Sequence, residues 1–416
     1  MTRTDPSFPA LHGRPDRGWL NDPNGLAYVD GTYHVFFQYN PDSPTHAAIK
    51  WGHISSTDLT HWRQEPIALV DRPGELDQYG CWTGCVTDDR GVPTAVYSAV
   101  ADSSGRSEVL LARSDRTLQR WHQGTESVMG MPEDSAVTDV RDPFLFEFQG
   151  HRYAIQGAGH KEGQPQILLY RCDDLTRWTP LGALLTSDDP VAAKFAPANI
   201  WECPNLVPLD DRWVLVTSLW LWIDGQHRLD GVRYLLGDLE SHGDGLRFVP
   251  STGGVLDAGP TFYAPQLLVQ SGRTLLWGWS WEDGRTPEQV AAAGWAGVLT
   301  YPRELFLVDD TVASRPAPEL EGLRREQLPV DQSFAERSFE VVSSGPASVV
   351  LLTAEGEQLV AALPRGGRVF VDGSLVEAFP TGGLPATSRT YPDTTSFWQV
   401  RADIGGDVTV WRLGTD

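Results

Sequence analysis

Short apolar runs of strand length, each entered through a polar turn, recur along the chain. YHVFFQY opens at Tyr33 after Asp30-Gly31, YAIQG at Tyr153 after Gln149-Gly150, and WVLVTSL at Trp213 after Asp210-Asp211. Each of these aromatics stands 11 residues after an acid in a proline-containing motif: Asp22 in WLNDPNG, Asp142 in VRDPFLF and Glu202 in WECPNL. The acids lie 120 and 60 residues apart, and the same 60-residue step reaches Trp82 in CWTGCV and Phe262 in TFYAPQ. One hairpin built five times fits this spacing. A second repeat runs through SSTDLTHW, RSDRTLQRW and RCDDLTRW, which end at Trp62, Trp121 and Trp178 at intervals of 59 and 57. LGDLESHGDGLRF, ending at Phe248, reads as a degenerate fourth copy. An inner strand, its hairpin partner, a third strand and a turn into an outer strand make four strands per unit, the content of a propeller blade. The three tryptophans are expected to pack between blades.

The pattern changes after PRELFLVDD. TVASRPAPELEGL is polar and rich in proline, and six alternating runs follow it: SFEVVSS, ASVVLLTA, QLVAALP, RVFVDGSLVEAF, FWQVRADI and DVTVWRL. The expectation is an all-β chain: a five-bladed β-propeller over residues 1–312, a linker over 313–333 and a short β-sandwich over 334–416. A sandwich this short leaves a sheet edge that a second copy would cover, so a homo-oligomer stays open.

Composition narrows the partners. With 41 Gly, 30 Pro and 16 Trp in 416 residues, the chain suits many-turned β structure. A formal charge of −22 argues against a nucleic-acid partner, which calls for Lys and Arg clusters. MTRTDPSFPALHGRPDRGW lacks the apolar stretch of a signal peptide, and no run of about 18 apolar residues occurs, so a cytoplasmic protein with no membrane partner is expected. Cys81, Cys85, Cys172 and Cys203 are expected as reduced thiols, and Cys81 and Cys85 lack a second pair for zinc.

Three acids brought to one axis can perform glycoside cleavage, which needs one ionised carboxylate and one protonated carboxyl flanking a bond. Asp22 sits in an Asn-rich turn whose donors favour the ionised form. Glu202, between Trp201 and Cys203, has the poorly solvated setting of an acid/base. Asp142 follows Arg141, whose charge should keep it ionised. Calcium would need more oxygens in a compact loop, so no metal and no cofactor are expected. A Trp-lined propeller that binds sugar without cleaving it is the alternative of another class.

At WLNDPNG, FFQYNP, WGH, RDP, WECPN and GWAGVLTYPREL the chain resembles glycoside hydrolase family 32, the family of β-fructofuranosidases and fructosyltransferases. FVDGSLVEAF resembles that family's sandwich signature. The resemblance implies a propeller with an appended sandwich and a retaining displacement on a β-fructofuranoside. It implies Asp22 as nucleophile, Glu202 as acid/base and Asp142 as transition-state stabiliser. It further implies a fructose subsite lined by Asn21, Gln38, Trp51, Trp82, Thr83, Arg141, Asp257 and Trp279. Thr261 departs from the Asp that the family often carries there. The expected substrate is sucrose or a short fructo-oligosaccharide. Sucrose 6-phosphate is an alternative that would need a basic patch, for which His46 and Lys50 are the candidates. Fructosyl transfer would use the same residues.

Overall fold

The computed structural model describes residues 5–159, 163–402 and 406–415, and the protein is nearly all β. Five successive four-stranded antiparallel units account for the first three quarters of the chain. The first holds Gly18–Val29, Thr32–Asn40, Lys50–Ser56 and Arg63–Gln64. The second, third and fourth open with Gly80–Asp89, Asp139–Phe148 and Ile200–Leu209. The fifth pairs Phe262–Gln270, Arg273–Ser280, Arg303–Val308 and Thr311–Pro316. A bridge between Gly159 and Ile200 fuses the third and fourth units into one sheet. Each unit's first strand packs against the next, and the fifth packs back on the first. Trp295–Ala296 also runs parallel to Gly18 and Trp19, so a late segment completes the first sheet.

Local chemistry explains the repetition. The hairpin turns Asp30-Gly31 and Gln149-Gly150 place both residues at positive φ (49° and 82°, 50° and 80°), the geometry that matches strand twist. Arg90-Gly91 and Ser271-Gly272 repeat it. In the second repeat, Asp58, Asp115 and Asp174 accept the amides of Thr60, Thr117 and Thr176 at 2.9–3.0 Å, closing an Asx turn. The turn drives Leu59, Leu118 and Leu175 into the core. Two of the tryptophans bridge units: Trp62 meets Trp277 of the fifth unit edge-on, and Trp121 meets Phe36 of the first, whereas Trp178 packs on Tyr170 of its own unit.

Residues 313–333, expected as a linker, carry regular structure over much of their length. Their first part completes the outer strand Thr311–Pro316, a 3-10 turn spans Pro318–Leu323, and Arg324–Leu328 pairs with Val408–Leu413. Proline and polar composition hid this, because an edge strand tolerates both. The C-terminal region forms a six-stranded and a four-stranded sheet. Phe339, Val341 and Val369 from one sheet share a core with Val349, Leu351 and Val400 from the other. RVFVDGSLVEAF folds as a hairpin, Gly367–Asp372 with Leu375–Pro380.

A buried ionic network joins this region to the rest. Arg303, 1 % exposed, donates to Asp257 Oδ2 at 2.6 Å, Glu377 Oε2 at 2.7 Å and Thr387 Oγ1 at 2.6 Å. His12 lies between Asp372 Oδ2 (2.7 Å) and Glu377 Oε1 (3.2 Å). Buried charges persist when every one is paired in this way. Among the described residues, no helix is long and apolar enough to cross a membrane.

Candidate active site

The site is built by a bulge repeated in the five first strands. Pairing with the second strand slips between Cys81 and Gly84, between Arg141 and Phe144, between Glu202 and Asn205, and between Tyr263 and Gln266. The first strand slips at Asn21-Asp22-Pro23. A bulge leaves residues unpaired and re-aims their side chains. Asp142, Cys203 and Ala264 occupy one bulge position with φ of 61°, 47° and 44°. The acids are therefore not in one register. Asp142 is equivalent to Cys203, and Glu202 is equivalent to Arg141 and Tyr263. The units step by 61 residues here, and a 60-residue count hides the slip.

Asp22 is held from several sides. Its Oδ2 accepts Thr83 Oγ1 at 2.7 Å and Gln38 Nε2 at 3.1 Å, and its Oδ1 accepts Asn21 Nδ2 at 3.0 Å. Trp19 Nε1 donates to Asn21 Oδ1 at 2.7 Å, which fixes that amide. Asp142 Oδ2 accepts the Cys203 amide at 2.9 Å. The Cys203 thiol lies 3.5 Å from the same oxygen and 3.7 Å from Asp22 Oδ2, so it sits between the two aspartates. Glu202 accepts Arg141 Nε on Oε1 at 2.8 Å and the Tyr263 hydroxyl on Oε2 at 2.7 Å. Arg141 also reaches Asp139 Oδ1 at 3.3 Å.

Electrostatics differ from the sequence expectation. Arg141 spends its guanidinium on Glu202 and Asp139, with Asp142 receiving only part of its field. Burial, then the charge of Glu202, pushes the Asp142 carboxyl up despite Arg141. Burial also pushes Asp22 up to about 6, against the Thr83 and Asn21 hydrogen bonds that favour its anion. Hydrogen bonds alone did not set the balance, because a dry pocket penalises every charge in it. Burial and the neighbouring carboxylates hold the Cys203 thiol and Tyr263 hydroxyl well above their ordinary values, so both remain proton donors.

The pocket brings together Asn21, Asp22, Gln38, Thr83, Arg141, Asp142 and Glu202. Trp82 and Trp279 belong to an aromatic border in which His46 meets Trp82 at 5.8 Å, and Trp19 meets both His46 (6.1 Å) and Trp279 (5.8 Å). Two expected residues lie elsewhere. Trp51 is fully buried between the first two units and donates to the Trp82 carbonyl at 3.1 Å, supporting the pocket wall from behind. Asp257 is committed to Arg303 and Thr387 in the buried network. Thr261 likewise bonds Ser280 and the Thr387 carbonyl. Sequence reasoning missed Tyr263 and Cys203 as pocket groups. The prolines Pro23, Pro143, Pro204 and Pro265, aligned in place of the acids, would have found both.

Buried Asp22 and Asp142 gathered with the partly exposed Glu202 are the equipment of a glycoside-cleaving protein. The chain belongs to glycosyl hydrolases family 32, whose N-terminal domain matches residues 12–316, and it is a glycoside hydrolase. It is 31 % identical to a raffinose invertase of Escherichia coli, over 93 % of this chain and 83 % of that protein. It is 34 % identical to a sucrose-6-phosphate hydrolase of Bacillus subtilis, over 99 % and 95 %. A Bombyx mori GH32 beta-fructofuranosidase variant, solved in complex with sucrose, superposes with a TM-score of 0.80 at 25 % identity, over 98 % of this chain and 94 % of that one.

Proposed function

We propose that this chain transfers terminal, non-reducing β-D-fructofuranosyl units of sucrose or short fructo-oligosaccharides to water, with net retention. The carrying observation is the gathering of three carboxyl groups in one site: Asp22 and Asp142 lie on either side of the Cys203 thiol, and Glu202 is the residue before it. We read the five units as a five-bladed propeller and the two C-terminal sheets as a sandwich, a reading supported by the contacts among the five first strands. Asp22 attacks the anomeric carbon while the Glu202 carboxyl protonates the departing oxygen, leaving a fructosyl ester on Asp22. Glu202, now ionised, takes a proton from water, and the water oxygen displaces Asp22 from the opposite face, the one that the leaving sugar vacated. Asp142, whose carboxyl is held up by burial and by Glu202, is drawn to its anion as positive charge develops on the sugar ring, and it bonds sugar hydroxyls.

Two features argue against a phosphate on the leaving sugar at the loop before Trp51. Lys50 Nζ is paired with Asp71 at 2.7 Å. His46 is pushed toward its neutral form by burial and is wedged between Trp19 and Trp82.

The test is product analysis on sucrose. Equal release of glucose and fructose, with the β anomer of fructose first, is expected; the α anomer first would replace the displacement by an inverting mechanism. Excess glucose with larger oligosaccharides would make the protein a transferase. Glu202→Gln should lower sucrose turnover by about 10²–10⁴-fold and spare an aryl fructoside, whose leaving group needs little protonation. Equal loss on both would remove Glu202 as the acid.

A further inference from the structure

Gln266 ends the bulge of the fifth unit and is 5 % exposed. Its side chain joins two other units. Oε1 accepts the Leu26 amide at 2.9 Å, and Nε2 donates to the Gly84 carbonyl at 2.7 Å. Leu26 follows Asp22 on the same strand, in a second slip between Asn24 and Ala27. Gly84 follows Thr83 directly and ends the slip of the second unit. The strands Gly18–Val29 and Gly80–Asp89 belong to different sheets, and side chains span the gap between them. Thr83 Oγ1 reaches Asp22 at 2.7 Å, and Gln266 grips both strands a short way further along. Asn205 holds the same bulge position in the fourth unit. Its amide donates to the Cys203 carbonyl at 2.9 Å and the Pro265 carbonyl at 3.0 Å, and it accepts the Leu267 amide at 3.0 Å. The unit that carries Glu202 is thereby fastened to the unit that carries Gln266.

From this geometry we infer that Gln266 is a positioning residue for the nucleophile: it sets the separation of the first two units and thereby the bond from Thr83 to Asp22. The inference rests on Asp22 as the nucleophile proposed above. Hydrogen bonds weaken steeply once donor and acceptor leave their preferred distance, so the Thr83 bond survives only while the two strands keep their spacing. Misplacing a reacting group by about 1 Å can cost on the order of 100-fold in rate, so a clamp beside the nucleophile acts on the chemistry without touching it. Asp142, Glu202, Arg141, Tyr263 and the Cys203 thiol share the pocket with Asp22, and each is held by bonds within it. The Thr83 bond is the one that crosses from Asp22 to the strand Gln266 clamps.

The test is a double-mutant cycle read in the pH profile of sucrose cleavage, with wild type, Gln266→Met, Thr83→Val and the pair. Methionine keeps the length of the side chain and drops both bonds. Gln266→Met should raise the acid limb of kcat/KM by about half a pH unit and lower kcat about fivefold, with KM within about twofold. In the Thr83→Val background it should move the limb no further, because the bond it acts through is already gone. Limb shifts that add, or an unmoved limb in folded Gln266→Met, would overturn the positioning role and leave Gln266 a purely structural clamp. Should Gln266→Met not fold, Gln266→Asn, which keeps the amide on a shorter stem, must show the same direction of shift and the same failure to add. A wild-type enzyme that does not cleave sucrose, or Asp22→Asn with near-wild-type turnover, would instead overturn the underlying reading of the nucleophile.

Discussion

The Thr83 hydroxyl accepts from Gln38 at 2.6 Å and donates to Asp22 at 2.7 Å, so it favours the Asp22 anion. A nucleophile must be ionised, and burial has raised this one to about 6. Activity should therefore fall on the acid side as pH drops through about 6. Thr83→Val removes a donor to a charged group and should move that acid limb upward by about one pH unit. An unmoved limb in the pH profile of kcat/KM would assign it to another group. Tyr263→Phe strips one anchor from Glu202 and should lower kcat about tenfold with little change in KM; a pure KM effect would make Tyr263 a binding residue. The three acids were legible because each precedes a proline at a fixed distance from a strand. Tyr263 and Cys203 were not, because a bulge exchanges neighbours without changing the hydrophobic pattern. Asp257 looked like a pocket group for the opposite reason: an acid beside a motif carries no sign of which buried partner claims it.

At the level of strands, the bulge holds non-glycine residues in the left-handed region. Ala264 is buried there with φ of 44°. Such a residue costs about 1–2 kcal/mol, and a β-branched one more. Ala264→Val should lose at least about 2 kcal/mol in denaturant unfolding, while Ala264→Gly should be neutral or slightly stabilising. Equal losses would show that packing, with no contribution from backbone conformation, governs the site. Close approach constrains a neighbouring position: a Cβ on Gly157 would stand 1.9 Å from the Trp201 carbonyl oxygen, next to Glu202. The turns between strands were readable from Asp-Gly and Gln-Gly pairs, since few residues accept two positive φ angles in succession. The outer strand Thr311–Pro316 and the edge strand Arg324–Leu328 were not. Their side chains face solvent in part, and pairing with distant partners decides their structure.

For the whole molecule, the network around His12 and Arg303 makes two packed regions depend on each other. His12 faces Asp372 and Glu377, stacks on Tyr301 at 3.6 Å, and shares Glu377 with Arg303. Burial disfavours its charge, yet the bonds to Asp372 and Glu377 outweigh that and raise its pKa above the ordinary value. A raised folded-state pKa gives stability that is complete below about pH 6.5 and lost as pH rises through the folded value. His12→Gln should cost about 3–5 kcal/mol at pH 6 and progressively less at higher pH, read as the gap in Tm between the two proteins. A gap that does not depend on pH would mean His12 stays neutral and acts by shape. The repeat and the sequence texture showed where the two regions lie, but the tie between them joins residues more than 350 positions apart and left no local signature. The pairing of Gly18 and Trp19 with Trp295 and Ala296 has a consequence in time. A ribosome adding about 5–20 residues per second needs on the order of tens of seconds to deliver the second partner after the first has emerged. Throughout that interval the nascent first sheet presents a bare, hydrogen-bond-hungry flank to the cell, a standing invitation to chaperones and to other half-made copies of the same chain.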